Sequence, residues 1–156
     1  MLENIAGIII PGIIISIFTS IITVRLSLRQ FRSQKWWELQ REAYSKIIEE
    51  LSLLQIHYAR WFEESVGIVN LNEEERAKLH IYYRNANECI SKVSAMGAFI
   101  ISQDTVDILI KLSKELEDQE YSMNTGDWAS AFDNSYGLVK EAISKIRELA
   151  KNELSI

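Results

Sequence analysis

Proline is almost missing from this chain: there is one, Pro11. Beyond it no residue carries the fixed φ and missing N–H that break a helix. Cysteine is also single, Cys89, so no intramolecular disulfide framework can form, as expected of a reducing compartment. With apolar neighbours, Cys89 reads as a core residue. Histidine is limited to His57 and His80, and neither has a carboxylate or a second histidine three or four residues away. That excludes local metal-ligand pairs and the Glu-x-x-His signature of carboxylate-bridged metal bundles. There is no glycine-rich phosphate loop and no serine-nucleophile motif. We expect no enzyme, no cofactor and no metal.

Charge is what the first part of the chain lacks. Ile5 to Val24, IAGIIIPGIIISIFTSIITV, contains none and is dominated by isoleucine. A helix needs about 20 apolar residues to cross the hydrocarbon core of a bilayer, and this run has that length. Glu3 is the one charge before it and Arg25 follows it directly, without the basic start and small-residue cleavage site of a secretory signal. A retained anchor is expected. Arg25, Arg29, Arg32 and Lys35 follow the run before any acid appears. Basic flanks stay on the cytoplasmic side, so the N-terminus is expected outside and everything after residue 24 inside.

Polar residues in and just after the run fall on one side of a helix: Gly12, Ser16, Thr19, Ser20, Thr23 and Ser27. Gly12, Ser16 and Ser20 are four apart, the small-xxx-small spacing that brings helix backbones close in lipid. Two readings are open, a helix-packing seam or the hydroxyl lining of a pore at the centre of a helix ring. Both require self-association. Pro11-Gly12 predicts a kink.

Past the anchor, the composition is rich in Ala, Leu, Ile, Glu and Lys, that of an all-α domain. We expect residues 1–33 to be anchor and juxtamembrane segment and 34–156 an antiparallel bundle of about four helices. Residues 25–46 carry six bases against two acids, a net of +4; residues 47–156 carry 11 bases against 19 acids, a net of −8. A basic collar against the membrane with an acidic body below follows from that division.

No glycine interrupts residues 25 to 66. Trp37, Tyr44, Leu51 and Tyr58 recur at heptad spacing, with Ile47, Leu54 and Trp61 as a second row, predicting one long helix to about Ser65. Asn72 followed by three glutamates predicts a helix start, with Leu79, Tyr83, Ala86, Ile90 and Val93 inward to about Ala95. Ala98 to Ile101 reads as a buried crossing. A third helix from Ser102 should bury Val106, Leu109, Ile110 and Leu116, residues 118–127 should be a polar loop, and a last helix should run from Trp128 to Asn152.

Arg25, Arg29, Arg32, Lys35, Trp36, Trp37 and Arg41 combine guanidinium groups with indoles. Such residues set topology, touch anionic lipid and form an interfacial aromatic belt. Around a symmetry axis they would also make a positive vestibule able to stack a nucleotide or single-stranded nucleic acid. A weaker cluster is Tyr82 to Asn85 with Tyr58 and Arg60, whose simpler reading is a helix surface with half-buried aromatics.

In layout, with a short anchor bearing a hydroxyl row and a helical body without catalytic residues, the chain resembles the membrane effectors of bacterial antiphage defence. It is similar to the single-anchor pore partner of RNA-targeting CRISPR systems and to the channel effector of the Hailong system. Helical ribonucleases of prokaryotic defence have four to six residues between Arg and His, and Arg76-Ala-Lys-Leu-His80, with a spacer of three, misses that pattern. The resemblance implies an inner-membrane channel of four or more identical subunits, gated through its cytoplasmic part by a nucleotide ligand or by a partner enzyme or sensor. The alternative is a membrane-tethered helical module that recruits a cytoplasmic protein.

Overall fold

Asn72 shows how local chemistry starts these helices. Its Oδ1 accepts from Glu75 N at 2.9 Å while its own N donates to Glu75 Oε2 at 3.1 Å, a reciprocal capping box. Glu73 and Glu74 add negative charge to the same turn. The preceding helix ends at Ser65 and is closed by Gly67, whose φ of 76° is left-handed. Gly67 N donates to Glu64 O at 3.0 Å and Ile68 N to Glu63 O at 2.9 Å, closing the last turn as a Schellman motif.

The computed structural model describes the backbone at 2–96, 99–123 and 126–154, and the side chains of 19, 20, 22–95, 99–121 and 126–154. Four α-helices occupy the described residues: α1 (Leu2–Ser65), α2 (Glu73–Met96), α3 (Gln103–Met123) and α4 (Trp128–Leu154). The chain divides into two compact units, Met1–Glu38 and Leu39–Ile156.

In the first unit the side chains up to residue 18 lie outside the described residues, and with them most of the expected anchor, Pro11, Gly12 and Ser16. Among the described residues no helix is long and apolar enough to cross a membrane. From Ile22 to Phe31 the large apolar side chains stand exposed, Phe31 at 65%.

The second unit is a bundle of α2, α3, α4 and the part of α1 from Leu39 onward. Tyr44, Ile47, Leu51, Leu54 and Tyr58 from α1 are buried with Ala86 and Ile90 of α2, Val106, Leu109, Leu112 and Leu116 of α3, and Val139, Ile143 and Ile146 of α4. The heptad rows of α1 are thus the buried face, with Trp61 half-buried at its end. Each buried Val, Leu or Ile among them contributes about 1.5–3 kcal/mol of hydrophobic stabilisation. Helix directions follow from the contacts. Tyr44 meets Glu153 near the end of α4, and Trp61 stacks near Phe132 close to its start, so these helices run oppositely. Gln119 near the end of α3 meets Asn134 near the start of α4.

One polar network closes one end of the bundle. The Tyr44 hydroxyl donates to Glu153 Oε2 at 2.6 Å and lies 3.1 Å from Ser102 Oγ and 3.2 Å from Thr105 Oγ1. Burial, aided by the Glu153 contact, raises the Tyr44 pKa.

Three local expectations change. Residues 118–123 are helix rather than loop, because their polar side chains find partners on neighbouring helices: Gln119 accepts from Asn134 and Glu120 from the Tyr83 hydroxyl. Ile110 is half exposed, since Val106, Leu109, Leu112 and Leu116 already fill the inner stripe of α3. In the expected crossing, Ile101 is buried but Phe99 is 72% exposed, and Ala98 lies outside the described residues.

Candidate functional site

Thr19, Ser20, Thr23 and Ser27 are exposed on one side of α1, and Thr23 Oγ1 donates to the Thr19 carbonyl at 2.8 Å. Arg25, Arg29, Arg32, Lys35, Trp36 and Arg41 are exposed and Trp37 is half-buried. Helical register does not gather these seven residues. At about 100° per residue, Arg25, Arg29, Arg32 and Trp36 share an arc of about 60° on the side opposite the hydroxyl row. Lys35 lies off that arc and pairs with Glu38 at 3.5 Å. Trp37 falls about 80–140° away from the three arginines, and Arg41 belongs to the other unit. Any pore that hydroxyls line therefore turns the three arginines outward.

The bundle contains a site that sequence reasoning passed over. His57, Tyr58 and Trp61 of α1, His80 and Tyr83 of α2, Glu120 of α3, and Trp128 and Phe132 of α4 line a pocket of about 260 Å³. The rings are mutually packed. Trp61 and Phe132 stack at 6.1 Å with 27° between planes, Trp128 lies 6.2 Å from Phe132, and His57 is 5.2 Å from Tyr83. His57 is 6% exposed, and its Nδ1 lies 2.8 Å from the Leu79 carbonyl oxygen. A carbonyl only accepts, so Nδ1 carries the proton. Burial, against the pull of that carbonyl and with a smaller push from the neighbouring His80, drives the His57 pKa down to about 4. The imidazole is therefore neutral at neutral pH.

Across the pocket the Tyr83 hydroxyl donates to Glu120 Oε1. Burial first, then that bond and the Glu120 charge, push the Tyr83 pKa up to about 12. Tyr58 is raised further, chiefly by burial. Its hydroxyl approaches that of Ser135, but neither makes a well-formed hydrogen bond, and the Trp61 Nε1 donor is also buried without a partner. Outside the pocket the Arg76 guanidinium sits 6.0 Å from the Trp61 ring, held by Glu64 at 2.8 Å.

Of the weaker sequence cluster, only Tyr58 and Tyr83 arrive here. Arg60 pairs with Glu63 at 2.8 Å and Glu75 at 3.6 Å, Tyr82 carries Lys78 over its ring at 5.9 Å, and Arg84 is exposed. The signal for the pocket lay in spacing: His57 and Trp61 are four apart, and His80 and Tyr83 three apart. Each pair shares one helix face.

A second cleft, about 410 Å³ and mostly apolar, lies beside Ile47, Cys89, Val93, Phe99 and Ile101. Cys89 is half-buried against the core rather than within it, and burial raises its pKa. The cleft's charges are already paired, Lys46 with Glu50 at 3.5 Å and Lys92 with Glu88 at 3.3 Å. Among the described residues no group of three or more His, Cys, Asp or Glu could hold a metal. No protein-family model, curated protein or solved structure matches the chain.

Proposed function

We propose that this protein is the channel-forming effector of a bacterial defence system, anchored in the inner membrane as a single-pass homo-oligomer of four or more subunits. Its N-terminus lies outside and its helical body is cytoplasmic. The observation that carries this reading is the uncharged Ile5–Val24 run with hydroxyls on one side and arginines directly after it. A lone helix gains nothing in lipid from aligned hydroxyls, whereas a ring of helices places them on a shared axis. Ile22, Val24, Leu26, Leu28 and Phe31, exposed along α1, suit contact with lipid or neighbouring subunits. Arg25, Arg29 and Arg32, on the opposite side from the hydroxyls, then meet anionic headgroups. Gating by a nucleotide or a partner protein falls to the body.

The test begins with native mass spectrometry of the full chain in neutral detergent, followed by bilayer conductance. A closed ring of at least about four subunits that conducts supports the channel. Leucine at both Ser20 and Thr23 should abolish the current while circular dichroism stays helical. A monomer or dimer, or an unchanged current in that variant, removes the pore. The tethered recruiting module then takes over. The apolar cleft beside Cys89, with Phe99 exposed at its edge, favours that second reading.

A further inference from the structure

The geometry points to the aromatic pocket of the bundle as a binding site for a small free organic ammonium cation, with the size and chemistry of a trimethylammonium compound. This goes beyond the channel reading and does not depend on it. Size comes first, since about 260 Å³ admits a ligand of headgroup dimensions.

Charge selects the class. Aromatic faces carry negative potential and attract a cation lying within about 6 Å of the ring centre. Rings from three helices (Trp61, Tyr83, Trp128 and Phe132) border one small space. No lysine or arginine lines it among the described residues, and Glu120 supplies its carboxylate. Glu120 is exposed at the rim of the pocket, where its negative charge repels an anion and attracts a cation. Trp61 already engages the Arg76 guanidinium from outside the pocket, so its ring accepts a cation in this setting. A metal ion is a poor fit, because metals need several converging ligands and His57, His80 and Glu120 are not grouped to hold one.

The unpartnered atoms refine the ligand. Trp61 Nε1 and the Tyr58 hydroxyl are buried on residues that line the pocket, and neither has a good hydrogen-bond partner. A cation with an oxygen a few atoms from its nitrogen offers an acceptor to both. Choline meets both requirements and serves as the probe.

The experiment titrates full-length protein in a maltoside detergent, which contains no ammonium group, with choline chloride and separately with 3,3-dimethylbutan-1-ol. That alcohol replaces the charged nitrogen with carbon at nearly the same shape. Calorimetry should show choline binding at least about tenfold more tightly, the scale of one desolvated cation–π contact. Equal affinities, or no saturable choline binding, overturn the proposal in wild-type protein, with no variant needed. Trp128→Leu alters a half-exposed ring at the start of α4 and should weaken choline about tenfold while leaving the alcohol nearly unchanged. Glu120→Gln keeps an acceptor for Tyr83 but removes the charge, and choline binding as tight as wild type would refute the electrostatic argument. Repeating the titration in phosphatidylcholine and phosphatidylglycerol nanodiscs identifies the source. Equal choline affinity in both assigns the site to a soluble cation, and loss only in phosphatidylcholine replaces that ligand with the lipid headgroup.

Discussion

Acid should unfold this bundle partly through one histidine. His57 is buried between α1 and α2 with its Nδ1–H held by the Leu79 carbonyl. Its folded pKa is about 4, against 6.5 for an ordinary imidazole. Between those values the unfolded chain binds a proton that the folded chain refuses, so stability falls as the pH falls. Little is lost at pH 7, roughly 2 kcal/mol is lost at pH 5, and the loss levels off near 3 kcal/mol below about pH 4. In a domain of this size 2 kcal/mol lowers Tm by roughly 8 °C. His57→Gln removes the titration while retaining a side chain able to donate toward Leu79. Urea denaturation of both proteins at several pH values, followed by circular dichroism in neutral detergent, separates this residue from the remaining groups. The wild-type curve should drop between pH 7 and 5 by about 2 kcal/mol more than the variant's. Parallel curves would mean that His57 is not buried neutral, and the reasoning would fail.

Two further perturbations test the framework. Tyr44→Phe deletes the hydroxyl that joins Glu153, Ser102 and Thr105, and should cost about 1–2 kcal/mol, since Thr105 stays buried while Glu153 can turn to water. An unchanged urea midpoint would show that the network contributes no stability. Asn72→Ala removes half of the capping box on α2 and should cost about 1 kcal/mol, with faster amide exchange at Glu75. Protection at that amide equal to wild type would show the cap to be dispensable.

Much of the bundle could be read from residue order because helix formation and amphipathic spacing are local. The Tyr44-Leu51-Tyr58 and Ile47-Leu54 rows lie on one face by periodicity alone, and that face is the buried one. Asn72 with its glutamates marks a helix start through contacts within three residues, so its place in the fold does not matter. The end of α3 was harder. Asp118 to Met123 looks like a loop because Gln119 and Glu120 find Asn134 and Tyr83 on other helices.

The sequence by itself determined that this chain is helical, where the helix before Gly67 ends and the next begins, which face of α1 is buried, and that an uncharged 20-residue run precedes a basic flank. Tertiary structure alone decided that two histidines 23 positions apart share one aromatic pocket with Glu120 and Trp128. It also decided that His57 loses its affinity for a proton there. The physical reason is range. Periodicity and capping act over three to seven residues along one helix, whereas desolvation and ring packing depend on which other helices close around a side chain.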